Sequence, residues 1–212
     1  MIVGLSGFLD SGKGTVGDIL RDKHRFAKKS FADPLKDVVS TIFGWNRALL
    51  EGDTKDSREF RERKSKRWSQ RFGYDVTPRL MLQKMGTEGG RDVFHPDIWL
   101  YALEDRIQHD TNVVVPDVRF PNEIAFLKRL GGVTIRVRRG NEPVWWDTAL
   151  DQNKNRSYYE DAHVKCQMTK KYPHVHFSEW AWIGQEFDYI IENNWTLDAL
   201  EKTVDSIIKN YL

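Results

Sequence analysis

The chain has 212 residues, which suffices for one sizeable core with an insertion but is short for two full domains. Hydrophobic residues make up 40 % and charged residues 30 %, which excludes a disordered chain, and no apolar run approaches the roughly 20 residues that a membrane span requires. The formal net charge of +2 is too weak to indicate nucleic-acid binding driven by bulk charge, so any anion site must be local. We therefore expect a globular protein without a membrane partner.

Two features of the sequence indicate the cellular compartment. The first residues lack the basic region, long apolar stretch and small-residue cleavage site of a secretory signal. The single cysteine, Cys166, excludes an intrachain disulfide and fits a reducing environment. We expect a cytoplasmic protein.

Predicted strands and helices alternate along the chain. MIVGL predicts a first buried strand, and further strands are predicted at KKSF, NVVVPD, GGVTIRVR and FDYIIENN. Helices with recognisable start signals lie between and after them, and the last begins after Thr196. This alternation predicts an α/β, three-layer fold in which a five-stranded, mostly parallel sheet is covered by helices on both faces. Such sheets place their functional groups at the carboxyl ends of the strands.

The segment 33–108 separates the second and third predicted strands and is predicted to be a helical insertion. ADPLKDVVSTIFG predicts a helix that Asp33 caps and Gly44 ends, and TPRLMLQKMG predicts a helix that ends at Gly86. Between these helices, residues 53–71 carry eight basic and four acidic side chains. Their mixed signs favour a solvated surface over a nucleic-acid contact.

Residues 4–15, GLSGFLDSGKGT, follow a predicted strand and open a helix, which is the context of a phosphate-binding loop. Gly12 and Lys13 fit the pattern G-x-x-x-x-G-K, but Gly14 replaces the usual Ser or Thr, and the hydroxyl comes one residue later at Thr15. Backbone amides, the helix start and the lysine would bind the phosphates of ATP. The predicted ATP-binding residues are Gly7, Asp10, Ser11, Gly12, Lys13, Gly14 and Thr15.

Two groups of candidate catalytic residues follow the third and fourth strands. Asp117 would hold Mg²⁺ through water, and Arg119 would bind a phosphate oxygen; the alternative is a solvent-exposed turn. After the fourth strand, Arg139 would stabilise the charge that develops during phosphoryl transfer. The following segment, 141–175, is predicted to be a lid that excludes water, with a surface loop as the alternative.

Basic and amide side chains in the insertion suggest a pocket for a second, phosphate-bearing substrate. Arg79 and Gln83 are four residues apart on one predicted helix face. Lys36 lies in the first turn of its helix, and Arg91 is predicted to lie in a loop. For each of these residues a solvated position is an equally good reading of the sequence.

Together, the segments GLSGFLDSGKGT, FADPLKD, RLMLQKMGTEGGRDVFHPDIW, VVVPDVRFPNE, IRVRRG, HFSEW and IIENNWTLDALEKTV resemble the bacteriophage deoxynucleoside monophosphate kinases. The resemblance extends from Met1 to about Val204. The G-K-G-T spelling of the loop also resembles that of adenylate kinase and its nucleoside monophosphate kinase relatives. The loop alone is shared by many kinases, whereas the combination of ADPLK, LQKMGTE and VPDVRFPNE is much narrower.

The resemblance implies a P-loop kinase fold and transfer of the γ-phosphate of ATP to a deoxynucleoside monophosphate, with Mg²⁺. It implies a cytoplasmic enzyme, in the host cytoplasm if phage-encoded, and is compatible with a homodimer. The implied catalytic residues are Lys13, Asp117, Arg119 and Arg139, and the implied metal-binding residues are Thr15 and Asp117. The substrate-binding residues are Lys36, Arg79, Gln83, Arg91, Arg119 and Glu123, although neither Glu123 nor Glu179 receives a specific role from the sequence.

Two other functions remain open from the sequence. The same fold would serve a dephospho-coenzyme A kinase or another small-molecule P-loop kinase. A member of a different class, a nucleotide-dependent nucleic-acid-binding module, would use residues 53–71, and its affinity would fall steeply with salt. The near-neutral net charge favours a kinase and makes nucleic acid an unexpected partner.

Overall fold

The computed structural model of the protein describes residues 1–108, 110–154 and 167–210. The chain divides into two compact units. Unit 1 comprises Met1–Lys29 and His109–Leu212, and unit 2 comprises Ser30–Gln108. The sheet lies in unit 1, and unit 2 is helical. None of the helices in the described ranges is long and apolar enough to cross a membrane.

The elements follow one another as β1 (Ile2–Ser6), α1 (Lys13–His24), β2 (Ala27–Lys28), α2 (Ala32–Phe43), a 3₁₀ turn (Arg47–Leu50), α3 (Lys55–Glu62), α4 (Lys66–Phe72), α5 (Pro78–Lys84), a π-helix (Met85–Phe94), α6 (Ile98–Ile107), β3 (Val113–Val115), α7 (Pro121–Arg129), β4 (Val133–Arg138), α8 (Trp146–Lys154), α9 (Gln167–Lys171), a second 3₁₀ turn (Phe177–Glu179), β5 (Tyr189–Glu192) and α10 (Leu197–Lys209).

The five strands form one parallel sheet in the order β2-β3-β1-β4-β5. The α/β, three-layer fold with a mostly parallel five-stranded sheet is therefore confirmed. Strand β1 is central, with β3 and β4 as its neighbours. The loops that follow these three strands consequently leave the same edge of the sheet side by side.

Alternating side chains of β1 explain how helices cover both faces of the sheet. Val3 and Leu5 are fully buried in a core that includes apolar residues of α1 and α10. Gly4 points the other way, where an added Cβ would lie 2.4 Å from a methyl carbon of Leu127 on α7. The glycine thus allows α7 to pack closely on the central strand.

The core of unit 2 combines buried residues of several helices, including Val39 and Phe43 on α2. Phe60 and Trp68, from the charge-rich stretch, pack against this core, so that stretch is anchored by its few aromatic side chains. The predicted cap at Thr77 and the predicted helix end at Gly44 are confirmed.

Two helix boundaries in unit 2 differ from the prediction. Phe31 is the N-cap of α2, so Asp33 lies within its first turn. Gly86 does not end a helix, because the chain continues as the π-helix Met85–Phe94. The reason is a close approach to Trp99, whose indole N–H donates to the Gly86 carbonyl at 2.8 Å. The same indole lies 2.5 Å from where a Cβ of Gly90 would be.

Candidate active site

The phosphate loop (residues 7–15) connects β1 to α1, and two of its glycines have a backbone that requires glycine. Gly7 has φ +148°, and an added Cβ would lie 2.3 Å from the Val137 carbonyl oxygen on β4. Gly12 has φ +94°, and its Cβ would lie 2.1 Å from Nδ2 of Asn193. Both positions therefore exclude a side chain, and the loop passes tightly between the ends of β4 and β5.

The start of α1 presents groups that are suited to an anion. The first backbone N–H groups of a helix have no partner within the helix, and Gly12 supplies no side-chain cap here. The first turn of α1 has no acidic residue, so the partial positive charge at this helix end is not neutralised locally. Ser11 has a buried hydroxyl oxygen without a hydrogen-bond partner in the described part of the chain. These groups fit a phosphate chain.

Lys13 is half-buried, and its ammonium group donates a hydrogen bond to the Phe8 carbonyl at 2.9 Å. Burial and the nearby positive charge of Arg119 lower the pKa of Lys13 from 10.5 to about 8. The same pKa is raised by three carboxylates near the ammonium group, those of Glu179, Asp10 and Asp117. An anion bound here would relieve the repulsion between the two cations.

Asn193 is a loop-binding residue that the sequence analysis did not identify. Its side-chain amide donates to the Ser11 carbonyl at 2.9 Å, and its backbone N–H donates to the Arg138 carbonyl at 2.7 Å. It therefore ties the phosphate loop to the ends of β4 and β5. Its position near the carboxyl end of the predicted strand FDYIIENN was the available signal.

Arg119 follows β3 through a short connection that contains Asp117, and its side chain is half-buried. Its Nη1 forms an ion pair with Oε1 of Glu179 and a hydrogen bond to the Ser178 hydroxyl at 3.3 Å. Burial is the largest influence and acts to lower the pKa of Arg119, but the carboxylates of Glu179, Asp117 and Glu123 together outweigh it and raise that pKa. Burial likewise acts to raise the pKa of Glu179, but Arg119, Lys13 and His176 together outweigh burial and lower that pKa. Both partners are therefore charged at neutral pH.

Glu123 lies beneath this arginine, with only 2 % of the residue exposed. Its Oε2 accepts the backbone N–H groups of Arg119 at 2.6 Å and of Phe120 at 3.0 Å. The carboxylate thus holds the backbone at the start of α7, as a glutamate at the third position of a helix commonly does. This geometry indicates a positioning role, in place of the substrate contact expected from the sequence.

Arg139 is exposed directly after β4, whereas the two preceding arginines are engaged. Arg136 and Arg138 both pair with Glu142, and the Arg136 guanidinium lies 4.5 Å from the ring centre of Trp146 and 5.1 Å from that of Trp182. Trp182 also contacts Phe8 of the phosphate loop at 5.0 Å between ring centres. Of the predicted lid, 141–175, residues 155–166 and Cys166 with them lie outside the described residues.

The residues predicted for the second substrate lie in unit 2, where most have partners of their own. Lys36 is only 11 % exposed and pairs with Glu51 at 2.6 Å and with Asp33 at 3.6 Å. Arg79 forms an ion pair with Glu62 on the surface. The predicted loop position of Arg91 is wrong, since Arg91 is buried in the π-helix and donates to the Pro96 carbonyl at 2.9 Å. Gln83 is half-buried on α5.

Oxygen donors suited to Mg²⁺ are present at the same edge as the phosphate loop. The Thr15 residue is exposed, and the Asp117 residue is half-buried. Hydroxyl and carboxylate oxygens are the ligands that Mg²⁺ prefers, and Mg²⁺ keeps several waters when it binds a nucleotide. The described residues contain no cluster of three or more His, Cys, Asp or Glu side chains able to hold a metal. The donor set therefore fits a nucleotide-bound Mg²⁺ with few protein ligands.

A sequence relative decides the family. Over 153 residues the chain is 36 % identical to a protein named as a deoxynucleotide monophosphate kinase in Acanthamoeba polyphaga mimivirus, and the match spans 66 % of this chain and 74 % of the relative. The chain belongs to the deoxynucleotide monophosphate kinase family. This confirms the family resemblance seen in the sequence. As a member of that family with a phosphate loop, the protein is a P-loop nucleotide kinase, and therefore a phosphotransferase.

A second member of the deoxynucleotide monophosphate kinase family matches a shorter stretch. The deoxynucleoside-5'-monophosphate kinase of Escherichia phage T5 is 49 % identical over 55 residues, which is 25 % of this chain and 22 % of the relative. No protein-family model matches the sequence.

The chain is also similar to solved structures at low identity. Shikimate kinase from Aquifex aeolicus has a TM-score of 0.44 at 15 % identity and TT1252 from Thermus thermophilus one of 0.48 at 16 %, each match covering 100 % of this chain and 98 % of the other. These scores carry no argument about function, so the fold assignment depends on the sheet order of the chain itself.

Proposed function

We propose that this family member transfers the γ-phosphoryl group of ATP to a deoxynucleoside monophosphate and releases ADP and the deoxynucleoside diphosphate. The observation that carries the proposal is the grouping of Lys13, Asp117 and Arg119 around one edge of the sheet, in a chain of this family. Phosphoryl transfer needs positioned cations more than it needs covalent chemistry, and this edge supplies them.

The donor nucleotide would bind to the phosphate loop. The backbone amides at the start of α1 would donate hydrogen bonds to the phosphate oxygens, with Gly7, Asp10, Ser11, Gly12 and Gly14 shaping the loop around them. Lys13 would exchange its hydrogen bond with the Phe8 carbonyl for the β- and γ-phosphates. Thr15 and, through water, Asp117 would hold Mg²⁺. The bound Mg²⁺ would neutralise charge on the phosphates during transfer.

The transferred group would be stabilised by arginines. Arg119 would contact a γ-phosphate oxygen, because its guanidinium is held next to Lys13 and its charge is secured by Glu179. Arg139, exposed at the end of β4, would make a second contact as charge develops. Glu123 would act on the reaction only by holding the Arg119 backbone.

Unit 2 would supply the groups that bind the acceptor nucleotide. The proposed acceptor-binding residues are Lys36, Arg79, Gln83 and Arg91. Lys36 would exchange its ion pair with Glu51 for one with the acceptor phosphate. The role of the segment 141–175 as a lid, the homodimer and the cytoplasmic location stay predictions.

The proposed reaction is tested by a coupled ADP-release assay with ATP and Mg²⁺, in which each common deoxynucleoside monophosphate, each ribonucleoside monophosphate and dephospho-coenzyme A is offered in turn. We expect rapid ADP release with at least one deoxynucleotide. Release with dephospho-coenzyme A alone would select that kinase instead. If folded protein that binds ATP releases no ADP with any acceptor, the proposal is overturned.

A further inference from the structure

The side chain of Arg119 is held by two neighbouring residues that come from a distant part of the chain. Its Nη1 donates to Oε1 of Glu179 and to the hydroxyl of Ser178, 60 and 59 residues further along. Its backbone is held separately by Glu123. The turn that carries Ser178 and Glu179 therefore fixes the orientation of the guanidinium, whereas Glu123 on α7 fixes the main chain of Arg119.

The turn that carries Ser178 and Glu179 is itself firmly anchored. Phe177 packs against Phe120, the neighbour of Arg119, with ring centres 5.8 Å apart. Trp180 is 1 % exposed, and its carbonyl accepts a hydrogen bond at 2.9 Å from Asn153 on α8. A carboxylate on such a turn loses little conformational freedom when it pairs, so the ion pair holds its partner in one orientation.

The charges around this pair are arranged as a compensated set. Lys13 and Arg119 repel each other, since Arg119 lowers the pKa of Lys13. The Glu179 carboxylate attracts both, because it raises the pKa of Lys13 and of Arg119. Asp117 acts on both cations in the same direction, so Glu179 is one of two carboxylates that attract both Lys13 and Arg119 before any phosphate is bound.

We propose that Glu179, assisted by Ser178, is a positioning residue that aims the Arg119 guanidinium at the transferred phosphoryl group. The inference rests on the proposed function, in which Arg119 touches the phosphate. Glu179 acts through the arginine and does not itself contact substrate.

The test is a double-mutant cycle with Glu179→Gln and Arg119→Ala, measured as kcat and KM for ATP and for the best deoxynucleotide. We expect E179Q to lower kcat on the order of 10- to 100-fold, as misplacement of a reacting group does, with KM for ATP changed by less than about 3-fold. In the R119A background, E179Q is expected to have no further effect. If the loss of kcat in the double variant equals the product of the losses in the two single variants, the inference is overturned, because Glu179 would then act independently of Arg119.

A control and a second readout separate positioning from folding. Glu201→Gln removes a carboxylate that pairs with Lys23 between α10 and α1, and we expect unchanged kcat. The ¹⁵N NMR signal of the Arg119 guanidinium should show hindered rotation in the wild type and E201Q and free rotation in E179Q. Equal signals in all three proteins would overturn the inference. If E179Q does not fold, Glu179→Asp and Ser178→Ala undergo the same measurements, with a smaller loss of kcat expected.

Failure of the proposed function is distinguishable from failure of this inference. Wild-type protein without transfer to any acceptor would overturn the proposed function. The guanidinium signal would still decide whether Glu179 holds Arg119, since it needs no turnover.

Discussion

The phosphate-binding edge of unit 1 and the basic residues of unit 2 differ in how their charges are paired. In unit 1, Lys13 and Arg119 lie close enough to repel each other, and Glu179 attracts both. In unit 2, three cations and three carboxylates form a closed network that consists of Lys36, Arg47, Arg106, Asp33, Asp37 and Glu51. An incoming anion would relieve the repulsion between the two cations of the first arrangement, whereas the charges of the second balance one another.

The difference shows what topology contributes to a site. The loops after β3, β1 and β4 meet because parallel strands end at the same edge, so residues more than a hundred positions apart are brought together. A helical insertion has no comparable rule. Several of its basic side chains, Lys36, Arg47, Arg79 and Arg106 among them, pair with carboxylates that the packing places nearby.

The largest expected effect comes from Lys13→Ala, which tests the unit 1 side of this contrast. Without the ammonium group the phosphates lose their main cation, so we expect kcat/KM to fall by about 10³-fold or more while the melting temperature stays near that of the wild type. Lys23→Ala, at an exposed pair on the same helix, is the matched control. Turnover of K13A at the wild-type rate would contradict the assignment of the loop.

Gly12→Ala tests whether the loop geometry is as restricted as the backbone indicates. The φ of +94° disfavours any side chain, and the new Cβ would displace the Asn193 amide from the Ser11 carbonyl. We expect the free energy of unfolding to fall by about 1–3 kcal/mol, measured by urea denaturation. Gly14→Ala is the control for stability, since its Cβ would meet nothing within 4 Å and its φ is ordinary. Equal losses in both variants would show that Gly12 has no special requirement.

Lys36→Met and Glu51→Gln test the unit 2 side. If Lys36 binds the acceptor phosphate, K36M should raise KM for the deoxynucleotide by about 10-fold, the effect of losing one charge-assisted contact. E51Q removes the competing carboxylate and should lower that KM by roughly 2- to 3-fold. Glu59→Gln, at an exposed helical pair with Lys55, should leave KM unchanged. An unaltered KM in K36M would remove Lys36 from the acceptor site.

The smallest effect is a proton taken up when ATP binds. The free protein has a Lys13 pKa of about 8, and phosphates beside the ammonium group would raise it, so binding at pH 8 should take up about half a proton. ATP affinity should accordingly weaken as pH rises above about 8. Calorimetry in two buffers of different ionisation enthalpy measures the uptake, and Lys13→Arg, which stays charged, should abolish it. Identical uptake in both proteins would assign the proton to another group.

The parts of the molecule that the sequence predicted are those with local signals. Thr77 and Thr196 cap their helices as expected, Pro121 opens α7, and the glycine loop lies between β1 and α1. Each of these features depends on a few neighbouring residues. The parallel sheet was predicted from the alternation of strands and helices along the chain.

The parts that the sequence did not predict depend on contacts between distant residues. Glu179 pairs with Arg119 across 60 positions, and Asn193 binds the loop across 182. The π-helix after Lys84 forms because Trp99 packs on Gly86 and Gly90. Helix propensity alone predicts that a helix ends at such glycines. Strand β2 has two residues, too few for a periodic pattern, and it overlaps the predicted KKSF segment only at Lys28.

The central claim is that this edge of unit 1 passes a phosphoryl group to a deoxynucleoside monophosphate. The most direct measurement follows ³²P from the γ-position of ATP into products separated by thin-layer chromatography, with wild type and K13A side by side. The account predicts label in a deoxynucleoside diphosphate with the wild type and almost none with K13A. Label found only in inorganic phosphate, or equally in both proteins, would contradict it.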